Sequence, residues 1–267
     1  MIMNIFFRIL IFLAITVLPQ EALLLYKNGK PTTKGIDEYV NNNSNIFIDE
    51  FQLYIKDTLY NDVYITTTDL SKLVDCDKNE LGFTEIHSNG YEIELTNQRK
   101  FNDYSINTLT KRGGKKNFNE YSQFVKSVVF HELMHVYFRQ MMQIEIMQEK
   151  LNHYYYNVQL VPNAEMRYGS AFLEEGLCEY LIRNKGEIME YQNKYIPKTT
   201  KDLLDKENVF NVQYEYSSYY LQNFMDSCTN KYGRMKPAIK IILENNPPNY
   251  NEILNPKLYF NRLEKLK

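Results

Sequence analysis

Val128-Val129-Phe130-His131-Glu132-Leu133-Met134-His135-Val136-Tyr137-Phe138 decides how the rest of this 267-residue chain is read. The run lies in a stretch of helical character from about Asn119 to Lys150, after the loop Lys111–Asn117 (KRGGKKN), with Asn119 placed as an N-cap. Four helical residues make about one turn, so His131 and His135 project from one face and can chelate one ion. Glu132 lies about 100° round from His131, beside such an ion and not on it. There its carboxylate can take a proton from a water that zinc activates. Buried alone among apolar neighbours that carboxylate would be costly; next to a dication it is not. The pattern His-Glu-x-x-His also occurs in chains that bind no metal, and a catalytic zinc needs a third protein ligand and an open fourth position.

That third ligand has to come from further along the chain. The extended form of the motif fails, because Phe138 stands where it needs Gly and Met141 where it needs His, and the inverted form His-x-x-Glu-His is absent. Phe172–Leu181 (FLEEGLCEYL) reads as part of a helix over Ala171–Arg183, with Glu175 and Glu179 one turn apart on one face. One of the two can ligate the ion while the other receives the free N–H of a ligating imidazole. Gly176 removes a side chain where this helix is expected to approach the histidine helix closely. Cys178 reads as a small buried residue packing in place of Ala, and Glu174, off the ligand face, as a solvated charge.

HELMH followed by EEGLCEY resembles the gluzincin metallopeptidases, the group that includes thermolysin and the membrane-alanyl-type aminopeptidases. The resemblance covers these two motifs. It implies a zincin-like α+β fold, peptide-bond hydrolysis, zinc held by His131, His135 and Glu175, Glu132 as general base, and Glu179 behind a ligating imidazole. The 39 residues from 136 to 174 make a longer gap than thermolysin's, one that a helical insertion accommodates. Tyr168, seven positions before Glu175, is arranged as in peptidases resembling anthrax lethal factor and the Pro-Pro endopeptidases, where the phenol helps stabilise the oxyanion. Many gluzincins also carry a Tyr or His well downstream of the ligand helix, and Tyr214 and Tyr216 hold that place here, beside the default of packing. The strand Tyr91–Thr96 precedes the active helix as the cleft-edge strand does in such peptidases. A protein or peptide substrate is therefore expected to lie extended and antiparallel to it.

Outward from these motifs, the expected organisation is a single domain over residues 23–267, with an α/β lobe to about 150 and a mostly helical lobe over about 151–267. Leu23–Tyr26 reads as a short strand ending at the Asn28-Gly29 turn, and the Asn-rich stretch 41–45 as a loop carrying the sequon Asn42-Asn43-Ser44. Ile46–Leu59 follows as a helix, Asp62–Thr68 as a strand, and GFTEIH with YEIELT as a hairpin about Ser88-Asn89-Gly90, with Glu92 and Glu94 on its solvated face. Helices are expected over Tyr214 to about Asn230 and Met235–Glu244, with Tyr232-Gly233 between them. His153, on the insertion, can reach the cleft, whereas His87 borders the hairpin turn and reads as exposed.

Composition closes off other classes. Hydrophobic residues at 44% and charged residues at 24% exclude a mainly disordered chain, a collagen and a coiled coil. A net charge of −2, from 31 Lys+Arg and 33 Asp+Glu, leaves no basic excess for nucleic acid. The apolar run Ile9–Leu18, between Arg8 and Pro19, is shorter than the roughly 20 residues that span a bilayer and suits a signal peptide over residues 1–22, hence export. With three cysteines, both a Cys76–Cys228 pair and three reduced thiols remain open. The expectation is a secreted zinc metallopeptidase. The alternative is a non-catalytic secreted zinc-binding scaffold or interaction protein with a peptidase-like fold.

Overall fold

The computed structural model describes residues 26–27, 30–31, 35–68, 81–87, 90–96, 118–145, 164–182, 197–204 and 217–266. The segment 1–22, Cys76, His153, Tyr214 and Tyr216 lie outside the described residues, and so do the expectations that rest on them. Among the described residues no helix is long and apolar enough to cross a membrane.

The order of elements is β1 (Tyr26–Lys27), β2 (Lys30–Pro31), α1 (Gly35–Ile55), β3 (Asp62–Thr68), β4 (Gly82–His87), β5 (Gly90–Thr96), α2 (Phe118–Glu145), α3 (Ala164–Ile182), α4 (Thr200–Leu204), α5 (Ser217–Tyr232), α6 (Lys236–Leu243), α7 (Tyr250–Leu254) and α8 (Pro256–Glu264). This is an α+β chain, mostly helical with one small three-stranded sheet. It divides into two compact units, Met1–Ile48 with Val63–Val129, and Asp49–Asp62 with Phe130–Lys267. The division falls within α1 and within α2.

Helix α1 begins well before the expected Ile46 and takes in the Asn-rich stretch, which is therefore not a loop. Val40, Asn43, Phe47, Phe51 and Ile55 are its buried stripe, spaced three or four residues apart. Asn43 sits on that stripe because its Nδ2 donates to the Tyr39 carbonyl at 2.8 Å, so its amide is not left bare. Asparagine's low helix propensity, well under 1 kcal/mol per residue, loses to burial of the stripe.

In the first unit, β4 and β5 form the expected hairpin, with His87 paired to Gly90 and Glu85 to Glu92. Alternation holds along β5: Tyr91, Ile93 and Leu95 are buried, and Glu92 and Glu94 lie on the other face. The strand order β3-β5-β4 puts β5 in the middle. Tyr91–Thr96 is therefore not an edge strand, and an extended peptide cannot add to it, because β3 and β4 already occupy both of its edges. His87 is exposed, as expected, with Glu92 at 3.3 Å and Glu85 at 3.6 Å.

In the second unit the helices pack closely on α3. A Cβ on Gly176 would stand 2.8 Å from Ser217 Oγ and 2.9 Å from Ser217 Cβ. The close approach that this glycine permits is thus to α5, and not to the histidine helix as expected. Gly169 lies against the backbone of Pro248 in the same way. Helix α5 ends at Gly233, whose φ of +72° is the left-handed cap that glycine adopts without strain. Two short helices not anticipated from the sequence, α7 and α8, close the chain. Asn249 and Glu252 form a capping box at the start of α7, and Pro256 sits at the first position of α8.

Candidate metal centre

Helix α2 is buried on every side from His131 to Phe138, and α3 from Gly169 to Glu179. The polar residues within these spans therefore have to answer one another. His131 and His135, one turn apart, turn their Nε2 atoms to within 3.2 Å. Glu175 Oε2 lies 3.3 Å from His131 Nε2 and 3.6 Å from His135 Nε2. Donors held about 2.0–2.1 Å from a tetrahedral ion stand about 3.3 Å from one another, so the three atoms match three corners of such a site. Glu175 Oε2 is buried and makes no well-aligned hydrogen bond among the described residues, its facing groups being the two imidazoles, so positive charge at this point, as protons or as a metal ion, is what stabilises it. The donor set fits a metal ion on both counts.

Behind the pair, each imidazole is held at its other nitrogen. Glu179 Oε1 faces His131 Nδ1 at 3.0 Å, and Glu174 Oε1 faces His135 Nδ1 at 2.6 Å. A carboxylate at Nδ1 keeps the proton there and leaves the Nε2 lone pair for an ion. The role expected for either Glu175 or Glu179 falls to Glu179 for one histidine. Glu174 does the same for the other, and it is not a solvated charge: it is 1% exposed and also receives Arg139 Nε at 3.4 Å. The expectation failed because α3 has no solvated side in this stretch. The two Nδ1 atoms are met by different carboxylates of α3, Glu179 and Glu174, which lie five residues apart on the helix.

The electrostatics ask for positive charge at the same point. Burial disfavours a charged His131, but the Glu175 and Glu179 carboxylates more than offset it and hold its pKa well above the usual imidazole value. For His135 burial is likewise outweighed, here by Glu175 and Glu174. Burial pushes the Glu175 carboxyl up, yet His135, His131 and Arg139 together bring it below its ordinary value. Glu132, 6% exposed, is close enough for its charge to act on His131.

Cys178 belongs to the same cluster: its Sγ and one donor atom each of His131, His135 and Glu175 all lie within 4.8 Å of one another. Packing alone does not describe its place. Burial, and then the charges of Glu175, Glu174, Glu132 and Glu179, push its thiol pKa well up. Tyr168 lies two turns before Glu175 on α3, half-buried, with its ring centroid 5.9 Å from that of Tyr250. The contact described for it is thus with α7. Sequence reasoning missed Glu174, Arg139 and Cys178 as members of the cluster. The available signals were an arginine one turn after His135 and a second acid beside Glu175 in an otherwise apolar run.

No family model, no curated protein and no solved structure matches this chain.

Proposed function

We propose that the chain is a zinc-dependent metallopeptidase of the gluzincin kind, with His131, His135 and Glu175 as zinc ligands and Glu132 as general base. The observation that carries the reading is the triangle of His131 Nε2, His135 Nε2 and Glu175 Oε2, with edges of 3.2, 3.3 and 3.6 Å, beside a buried Glu132. Zinc, when bound, acts as a Lewis acid that polarises the scissile carbonyl and acidifies the attacking water. Glu132 takes the proton from that water and returns it to the leaving amine. Glu179 and Glu174 fix both imidazoles in the tautomer that presents Nε2, and Arg139 offsets the charge of Glu174. An intact Glu132 next to the ligand triangle favours this reading over a purely structural ion, since a scaffold has no use for a base. Export through residues 1–22 and an extended peptide substrate belong to the same proposal.

The test is cleavage of a diverse peptide library by the zinc-loaded protein beside Glu132→Gln. Wild type is expected to cleave in a chelator-sensitive way. The variant keeps stoichiometric zinc and loses about 10²–10⁴-fold in rate, the usual contribution of a positioned proton-transfer group. Cleavage that survives in Glu132→Gln, or a wild type that binds no zinc, overturns the proposal.

A further inference from the structure

The three ligand atoms leave one corner of a tetrahedron, and a fourth donor already stands in the cluster. Cys178 follows Glu175 by three residues on α3, so the two side chains share a face one turn apart. It is fully buried, and its Sγ is within 4.8 Å of one donor atom each of His131, His135 and Glu175. A sulfur about 2.3 Å from zinc stands about 3.5 Å from nitrogen or oxygen ligands about 2.0–2.1 Å from it, a spacing that lies within the 4.8 Å span of the cluster. Its surroundings are not those of a cysteine that replaces alanine in an apolar core. Glu132, Glu174, Glu175 and Glu179 all lie near enough to act on it. Two neutral imidazoles, one carboxylate and one thiolate would balance the charge of zinc within the ligand set, while Arg139 offsets part of the charge of the carboxylates beside it.

We propose that Cys178 is a fourth protein ligand, and that it holds the peptidase latent by occupying the position that the attacking water and the scissile carbonyl need. The inference rests on the peptidase reading above and adds regulation of that site. When zinc binds, the S–H bond breaks, the proton leaves to solvent and a sulfur–zinc bond forms, with no change of oxidation state. Activity then requires substrate to displace the thiolate: the sulfur–zinc bond breaks and the sulfur takes a proton back from solvent, again with no change of oxidation state.

X-ray absorption of the zinc-loaded protein decides the coordination without recourse to activity. The wild type is expected to show one sulfur at about 2.3 Å with nitrogen and oxygen at about 2.0–2.1 Å. In Cys178→Ala the sulfur shell disappears while zinc stays bound. If the open form is at most about 10% of the wild type, peptide cleavage by Cys178→Ala rises about tenfold or more. Stoichiometric zinc with only nitrogen and oxygen in the wild type overturns the inference and leaves the peptidase reading standing. A sulfur shell that persists in Cys178→Ala overturns it as well, since another residue then supplies the sulfur. A sulfur shell lost in a variant that cleaves no faster removes the latency. No zinc in the wild type overturns the peptidase reading itself, and the spectrum of the wild type alone separates that case from the others should Cys178→Ala fail to fold.

Discussion

At the scale of single residues, the site shows how much chemistry local spacing carries and where it stops. His131, Glu132 and His135 are legible because a helical turn fixes their relative positions whatever surrounds them. Glu179 is legible for the same reason, one turn after Glu175. Glu174 is not, because its role depends on α3 being enclosed on all sides, and enclosure is a property of the neighbouring helices. Glu174 and Glu179 each hold one imidazole by Nδ1, at 2.6 and 3.0 Å. Glu174→Gln and Glu179→Gln are therefore each expected to weaken zinc binding by about 10–100-fold without abolishing it, as is usual for carboxylates behind a ligating histidine. Glu175→Gln should cost more than either, since it alters a residue proposed as a ligand itself. Competition against a chromophoric chelator measures all three. Full zinc affinity in Glu175→Gln with loss in Glu179→Gln would reverse the assignment of ligand and supporting carboxylate.

At the scale of elements, β3, β4, β5 and α2 follow from alternation, turn residues and helical period, while α1 and β5 show what those patterns leave out. The Asn-rich stretch looks like a loop by composition, yet Asn43 fills a place on a buried stripe that starts at Val40. β5 looks like an edge strand by its place before the helix that carries His131 and His135, but strand order is set by long-range pairing that no local pattern records. Gly176 was legible as a point of close approach and not as an approach to α5. That contact makes a prediction of its own. A methyl group at Gly176 meets Ser217 Cβ at 2.9 Å and also the Leu221 side chain, so α3 or α5 must shift to admit it. Gly176→Ala is expected to destabilise the protein by about 1–3 kcal/mol, the usual cost of overpacking, against the slight gain that Ala brings to an exposed helix. Urea unfolding measures the loss as a lower midpoint at unchanged slope. A midpoint equal to that of wild type would show that α3 and α5 are further apart than described.

At the scale of the whole molecule, the division into units explains why residues 49–62 belong with the helices despite lying early in the chain. The Tyr137 hydroxyl on α2 donates to Asp57 Oδ2 at 2.7 Å, the Tyr60 amide donates to Gln140 Oε1 at 3.1 Å, and Lys236 Nζ lies 3.6 Å from Asp57 Oδ2. None of these pairings has a local signature, since they join residues about 80 and more apart in sequence. The first of them makes stability depend on pH in a defined direction. Tyr137 is fully buried, and burial followed by the hydrogen bond to Asp57 pushes its phenol well above the ordinary value. In the unfolded chain the phenol ionises near pH 10, while in the folded protein it stays protonated. The stability it contributes is thus complete below about pH 10 and is lost as pH rises toward the raised folded value, by about 1.4 kcal/mol per pH unit. Tyr137→Phe gives up a hydrogen bond to a charged group, about 1.5–3 kcal/mol at neutral pH, but carries no such slope. Urea unfolding of both proteins from about pH 8 to about pH 11 should show the variant less stable at the lower end and the gap narrowing only above about pH 10. A gap that stays constant to the upper end would mean that Tyr137 ionises in the folded protein as readily as in the unfolded chain, and that its hydroxyl is not held between α2 and Asp57.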